Sequence, residues 1–364
     1  MKNTFGNSIS LTIFGESHGE EIGAILDGLA PGIKLDREFI ASQMDKRRAK
    51  GHISTGRTED DEVIISSGVF NELTTGTPIC FTIKNNNIKS RDYSDTRSLA
   101  RPGHADYTAN CKYHGYEDYR GGGHFSGRIT AAIVAAGAVA IDVLKSKGIY
   151  IGTHIKRCAG VADRDFCDIS REIASLEKME FAVLDEAAAE KMKAAILEAA
   201  NEGDSVGGIL ETAIVGLPSG VGEPWFDSFE SVVSHILFSI PAVKGVQFGK
   251  GFDMADMRGS EANDAFYCDG DKINTKTNSN GGINGGITNG MPVVLSCAVK
   301  PTPSIYKTQD TVDFIKKENK QLEIKGRHDP AIVHRARVVV DSAVALAVCD
   351  MLALRYGTDW LKGN

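Results

Sequence analysis

A serine and a histidine stand side by side between glycines in the stretch FGESHGEEIG at residues 14–23. Two kinds of chemistry fit that spacing. Gly15, Ser17 and Gly19 satisfy the G-x-S-x-G pattern of a hydrolase elbow, in which a strained turn lifts a nucleophilic serine. Alternatively His18 is the working group, and the glycines let the backbone close around a ligand. Three more turns share this style. DKRRAKGHISTGR (45–57) carries Arg47, Arg48, His52 and Arg57, RPGHADYT (101–108) sets Arg101 and His104 about a Pro-Gly turn, and KGRHDPA (325–331) places Arg327, His328 and Asp329 before Pro330. GGGHFSGR (121–128) puts three glycines ahead of His124, Ser126 and Arg128 where a helix is expected to begin, so free N–H groups and the helix dipole would favour an anion. Arginine forks and imidazoles on glycine turns suit a phosphorylated or carboxylated ligand and proton transfer to it.

The chain around these turns is 364 residues long with a formal charge of -7, which argues against nucleic acid as the main partner, because phosphate backbones require a basic surface. At 42% hydrophobic and 24% charged it has the composition of a globular protein with a large core. The N-terminus lacks the apolar stretch of a signal peptide and no run approaches the roughly 18 apolar residues of a membrane span, so a cytoplasmic protein is expected. Seven cysteines without a C-x-x-C pair indicate reduced, buried thiols and no zinc or disulfide framework, and no metal is expected. Neither GGGHFSGR nor GGINGGIT fits G-x-G-x-x-G, and GVQFGKG is one residue short of a P-loop, so Rossmann and Walker sites are unsupported.

Helical patterning covers 128–147, 184–204, 229–240 and 341–357, the first apolar nearly all round. SLTIF, EVIISSGVF, PICFTIKN, ILETAIVGL and PVVLSCAVK read as strands. An internal echo links 23–40 and 73–84 to 212–230 and 287–300, each reading strand, Gly/Pro turn, helix, then a turn into a strand. That pattern reads as an old duplication of an α+β unit. The expectation is a layered α+β sandwich, apolar helices between two antiparallel sheets, in a single domain over 1–364. A hydrolase elbow fits this poorly. Only about a dozen residues precede Ser17, EEIGAILDGLAPG after it reads as a strand with a turn, and nothing in the spacing demands a triad of Ser17, an Asp and His334.

At this point the motifs resemble those of the chorismate synthase family. GESHG followed by DGLAPG, then RPGHADYT, DYRGGGHFSGRITAAIVAAGAVA and KGRHDPAIVHRA are similar to the family signatures, and AVKGVQFGKGF, GGINGGIT and KPTPSI stand in family order, from about residue 6 to 352. The resemblance implies trans 1,4-elimination of phosphate from 5-enolpyruvylshikimate 3-phosphate to give chorismate, with reduced FMN required but no net redox change. It implies that Arg47, Arg101, Arg128 and Arg327 hold the substrate's phosphate and carboxylates, with Arg48, Arg57 and Ser126 as helpers. His18 matches the acid for the departing phosphate with Ser17 as its hydrogen-bonding partner, His104 the histidine that protonates reduced flavin, and Asp329 the carboxylate that assists proton removal. FMN would be held by His124, Phe125, Ser126, Ala242, Gly285, Lys300, Pro301, Thr302, Pro303, Ser304 and Arg327, with Lys300 the main partner of its phosphate. A homotetramer is also implied, and NADP use belongs to the same resemblance. The chain departs from the family in having KRRAKGH without a proline, His52 near the place of a later arginine, His124-Phe125 after the glycines and Asp341 in place of a glutamate. Other readings are a serine esterase using Ser17 and a non-catalytic flavin- or phosphometabolite-binding protein.

Overall fold

A computed structural model describes residues 2–49, 51, 53–54, 61–86, 97–324 and 328–362. His52, Arg57 and Arg327 lie outside the described residues. Two five-stranded antiparallel sheets face each other across two long helices. The first sheet runs Thr4–Phe5, Ser10–Gly15, Glu21–Asp27, Ile79–Lys84, Ile64–Ser67. The second runs Val243–Phe248, Val293–Val299, Gly208–Val215, Tyr150–Cys158, Val161–Ala162. Reading inward from the Ser10–Gly15 and Tyr150–Cys158 strands, both sheets order their four main strands as first, second, fourth, third along the chain. A helix follows the second strand in each half, Arg37–Lys46 and Phe229–Ser239, and a buried helix follows the fourth. The echo in the sequence is therefore matched by a repeated topology, and the fold is the layered α+β sandwich that was expected.

Each layer follows from its residues. In Ile79–Lys84, Ile79, Phe81 and Ile83 are buried while Cys80 and Thr82 are half-exposed, the period-two pattern of a sheet with one covered face. The helix Thr130–Ser146 covers it, and 14 of its 17 residues are buried. Its alanines leave room for the helix Val333–Tyr356, which lies against it on one side and the second sheet on the other. Tyr150–Cys158 is buried on both faces: Thr153 donates to Asp341 of that helix at 2.6 Å, while His154, facing the other way, contacts Asp163 at 2.7 Å. The two helices lie close at Gly137, where an added Cβ would lie 2.3 Å from Ser342 Cβ and 2.7 Å from its Cα. G137A should therefore lower stability by about 1–3 kcal/mol despite the roughly 1 kcal/mol that alanine gains in a helix. Thermal or urea denaturation reads this directly, and an unchanged or higher midpoint would show that the helices can separate at no cost.

Two expectations are corrected here. The span Gly127–Ser146 is 20 residues long and apolar enough to cross a membrane, contrary to the reading that no run approaches that length, but its apolar window is 83% buried inside the protein and serves as core. Cys158, Cys297 and Cys349 are buried as expected, whereas Cys111, Cys167 and Cys268 are exposed, because they lie on a surface helix, a loop and an outlying hairpin. The helix Val333–Tyr356 begins before the 341–357 span, since the polar first turn around His334 and Arg335 hides its start. The strand Tyr150–Cys158 went unread because Gly152, His154, Lys156 and Arg157 break its apolar alternation.

Candidate active site

The glycine turns converge. One cavity of about 780 Å³, within the range of roughly 300–1,000 Å³ typical of small-molecule sites, is bordered by Arg47, Arg48, Arg101, His104, Arg128, Lys300 and Asp329. They come from five different connections, Arg47 sharing one with Arg48 and Arg101 another with His104. Arg47 is the C-cap of the helix Arg37–Lys46, and Arg128 precedes the helix Thr130–Ser146. Lys300 follows the strand Val293–Val299, and Asp329 lies just ahead of the helix Val333–Tyr356. His124, Phe125, Ser126, Ala242, Thr302 and Pro303 also border the cavity.

Four residues assigned from the sequence stand off the cavity wall, as does Ser304. Ser17 and His18 are 5% and 6% exposed and lie behind the glycine loop. A Cβ on Gly121 would meet His18 Cε1 at 2.1 Å. Gly285 sits in the turn between Ile283–Asn284 and Ile287–Thr288, and Pro301 packs against Gly207. Ser304 is buried and reaches the site through His104, whose Nε2 is 2.7 Å from its Oγ.

The glycine loop expected to cradle an anion lines the cavity. Gly121, Gly122 and Gly123 all have positive φ, at 60°, 87° and 52°, a run that only glycine adopts readily. Two of its N–H groups are used internally: Ser126 N–H donates to Gly123 O, and Arg128 N–H donates to Ser126 Oγ at 3.3 Å. The loop brings the Arg128 side chain to the cavity. It also holds Ser17, whose N–H donates to Gly123 O at 3.1 Å and whose Oγ lies 3.2 Å from both Arg120 O and Gly121 O. A hydroxyl that donates to a carbonyl can accept from His18 Nδ1–H, 3.2 Å away. Ser17 is thus a buried brace with no access to the cavity. His334, the triad partner that could be written for it, instead pairs with Ser54 Oγ at 2.8 Å, so the esterase arrangement fails.

Carboxylates organise the arginines, and two of them, Asp61 and Asp106, were given no role from the sequence. Asp106 accepts from Arg101 Nε at 2.8 Å and NH2 at 2.7 Å, a bidentate pair that fixes the turn. Asp61, 4% exposed, accepts from both Arg47 and Arg128. Arg335 donates to Asp329 at 2.5 Å and to Arg47 O at 2.9 Å, tying the acid to the arginine cluster. Asp106 lies inside the RPGHADYT motif and Arg335 inside KGRHDPAIVHRA, so both were findable. Asp61 sits in an acidic run whose members look alike.

Burial, then the Arg101 guanidinium, pushes His104 down to about 4, with Asp106 opposing and Lys300 and His328 adding to the effect. At neutral pH its imidazole is uncharged. Burial and then Arg335 likewise push His334 to about 4. Both folded values lie below the ordinary 6.5, so the unfolded chain takes up protons first. Their contribution to stability is therefore full above about pH 6.5 and is lost as pH falls toward about 4. An anion that neutralises Arg101 and Lys300 should raise His104. NMR titration should find the His104 pKa near 4 in the free protein, moving up by about a unit or more with saturating phosphate. A value near 6.5 that ignores phosphate would contradict this electrostatic picture.

The architecture and cavity define a layered α+β protein with a cavity bordered by several arginines and a histidine. The family profile described as Chorismate synthase matches residues 9–353. A chorismate synthase of Pyrococcus abyssi is 46% identical over 350 residues, covering 96% of this chain and 97% of that one. One from Dehalococcoides mccartyi is 46% identical over 361 residues, with 98% of each chain covered. A crystal structure of a chorismate synthase superposes with a TM-score of 0.76 at 28% identity, covering 97% of this chain and 94% of the other. The chain belongs to the chorismate synthase family.

Proposed function

We propose that the protein eliminates phosphate from 5-enolpyruvylshikimate 3-phosphate to form chorismate. One allylic C–H bond breaks, its electron pair becomes part of the new diene, and the C–O bond breaks with its pair leaving on phosphate. The observation that carries this reading is the meeting of Arg47, Arg48, Arg101 and Arg128 with His104 and Asp329 on one cavity. A substrate bearing a phosphate and two carboxylates needs several guanidiniums, and a bidentate fork suits each oxyanion. Arg57, Arg327 and Ser126 belong to the same set in this reading.

The cavity also suits FMN. Its wall carries apolar Phe238, Ile240, Pro241 and Ala242 for a flat ring system, Lys300 for a phosphate, and Thr302, whose buried Oγ1 finds no hydrogen-bond partner among the described residues. His124, Phe125, Ser126, Ala242, Lys300, Thr302, Pro303 and Arg327 would hold it, with Ser304 acting through His104. When bound in its reduced form, FMN supplies electron density to a carbon skeleton whose C–H bond is barely acidic. His104, neutral in the free protein, gains a proton as anions neutralise its cationic neighbours. Asp329 is aimed by Arg335 as the proton acceptor. His18 serves as the acid for the departing phosphate, with Ser17 beside its Nδ1. In this reading the chain works as one domain, as a cytoplasmic homotetramer, and the exposed Trp225, Phe226 and Phe252 agree with association.

The test is direct. Purified protein, dithionite-reduced FMN and the substrate are mixed without oxygen, and chorismate absorbance and phosphate release are followed together. Equal amounts of both are expected. No product from folded, flavin-bound protein would defeat the proposal.

A further inference from the structure

We propose that Asp61 is a positioning residue that aims Arg47 and Arg128 at the cavity and offsets one of their two charges. This rests on the reading that these arginines hold the anionic substrate. Asp61 Oδ2 accepts from Arg47 NH1 at 3.2 Å and Oδ1 accepts from Arg128 NH1, so one carboxylate spans two guanidiniums that arrive from distant parts of the chain. The side chain of Asp61 is only 2% exposed, against 10% for Arg47 and 7% for Arg128, and it borders the cavity together with the pair it joins. The remaining grips complete the aim. Arg47 donates through Nε to Thr130 Oγ1 at 3.2 Å and through NH2 to Gly127 O at 2.9 Å. Arg128 donates through Nε to Asn85 Oδ1 at 3.0 Å and through NH2 to Lys84 O at 3.2 Å.

Two buried guanidiniums this close repel one another, and a shared carboxylate both holds them together and reduces the field that an incoming anion feels. Together the three groups carry one net positive charge. Removing the carboxylate charge should thus strengthen ground-state anion binding while loosening the geometry that turnover needs, a combination that a purely structural residue would not produce.

The test compares wild type and Asp61→Asn, both reconstituted with FMN, by calorimetric titration with inorganic phosphate and by steady-state turnover. Phosphate should bind the variant about fivefold tighter or more, with the gain shrinking as salt rises, while kcat falls about tenfold or more. A folded variant that binds phosphate no more tightly than wild type overturns the proposal. Asp61→Glu guards against misfolding. It keeps the charge on a longer arm, so phosphate affinity should stay within about twofold of wild type while kcat falls about tenfold. Full turnover in folded Asp61→Glu would likewise overturn the positioning role. If the wild type itself forms no chorismate, the proposed function fails, but the phosphate comparison still decides for or against Asp61.

Discussion

Replacing Gly121 with alanine is expected to lower kcat about a hundredfold or more while leaving the protein folded and able to bind phosphate. The new Cβ would stand 2.1 Å from His18 Cε1, 2.3 Å from Nδ1 and 3.0 Å from Ser17 Oγ, so either the ring or the loop must move. The φ of 60° adds roughly 1–2 kcal/mol of backbone strain for any residue with a side chain. The three atoms nearest this Cβ belong to His18 and Ser17 and none to the arginines or Asp61, which is why anion binding should survive. Steady-state kinetics and a phosphate titration on one preparation separate the two effects. A variant with normal kcat would mean that His18 has no part in the chemistry.

Arg128→Ala is expected to cost about a thousandfold or more in kcat/KM, the largest single loss at the site. The side chain is 7% exposed and borders the cavity. Its removal takes a donor from the substrate and a partner from Asp61 together. Truncating one member of a buried charge pair costs about 3–5 kcal/mol, much of it from the stranded partner. Arg128→Lys should rescue little, since an ammonium cannot reach Asn85, Lys84 O, Asp61 and a ligand at once. Kinetics on both variants, with melting temperatures to confirm folding, check this. Lysine restoring near-normal kcat/KM would show that charge alone suffices there.

The layered fold was legible because its signals are local and periodic: alternation in Ile79–Lys84, an all-apolar helix at Thr130–Ser146, and glycines that demand positive φ. The repeated topology showed through as well, since both halves carry a similar glycine turn into their fourth strand. What escaped was mostly polar or long-range. Strand Tyr150–Cys158 hides its hydrophobic face because His154 is buried against Asp163 and Glu211. Among site residues, the cationic side chains announced themselves, whereas the carboxylates that position them did not. Asp61 is 67 residues from Arg128, and no spacing rule joins them. Local sequence also could not tell that Gly121 would come between His18 and the cavity, nor that burial would leave His104 neutral.

On the proposed function, turns far apart in the chain build one chamber for a flavin and a multiply charged ring compound together. Diffraction from crystals grown with FMN and 5-enolpyruvylshikimate 3-phosphate tests it most directly. The flavin ring should lie along Pro241, Ala242 and Thr302, with the substrate's anionic groups on Arg47, Arg48, Arg101 and Arg128. Density for either molecule outside that cavity, with the cavity holding only solvent, would show that the chamber is not the site of the reaction.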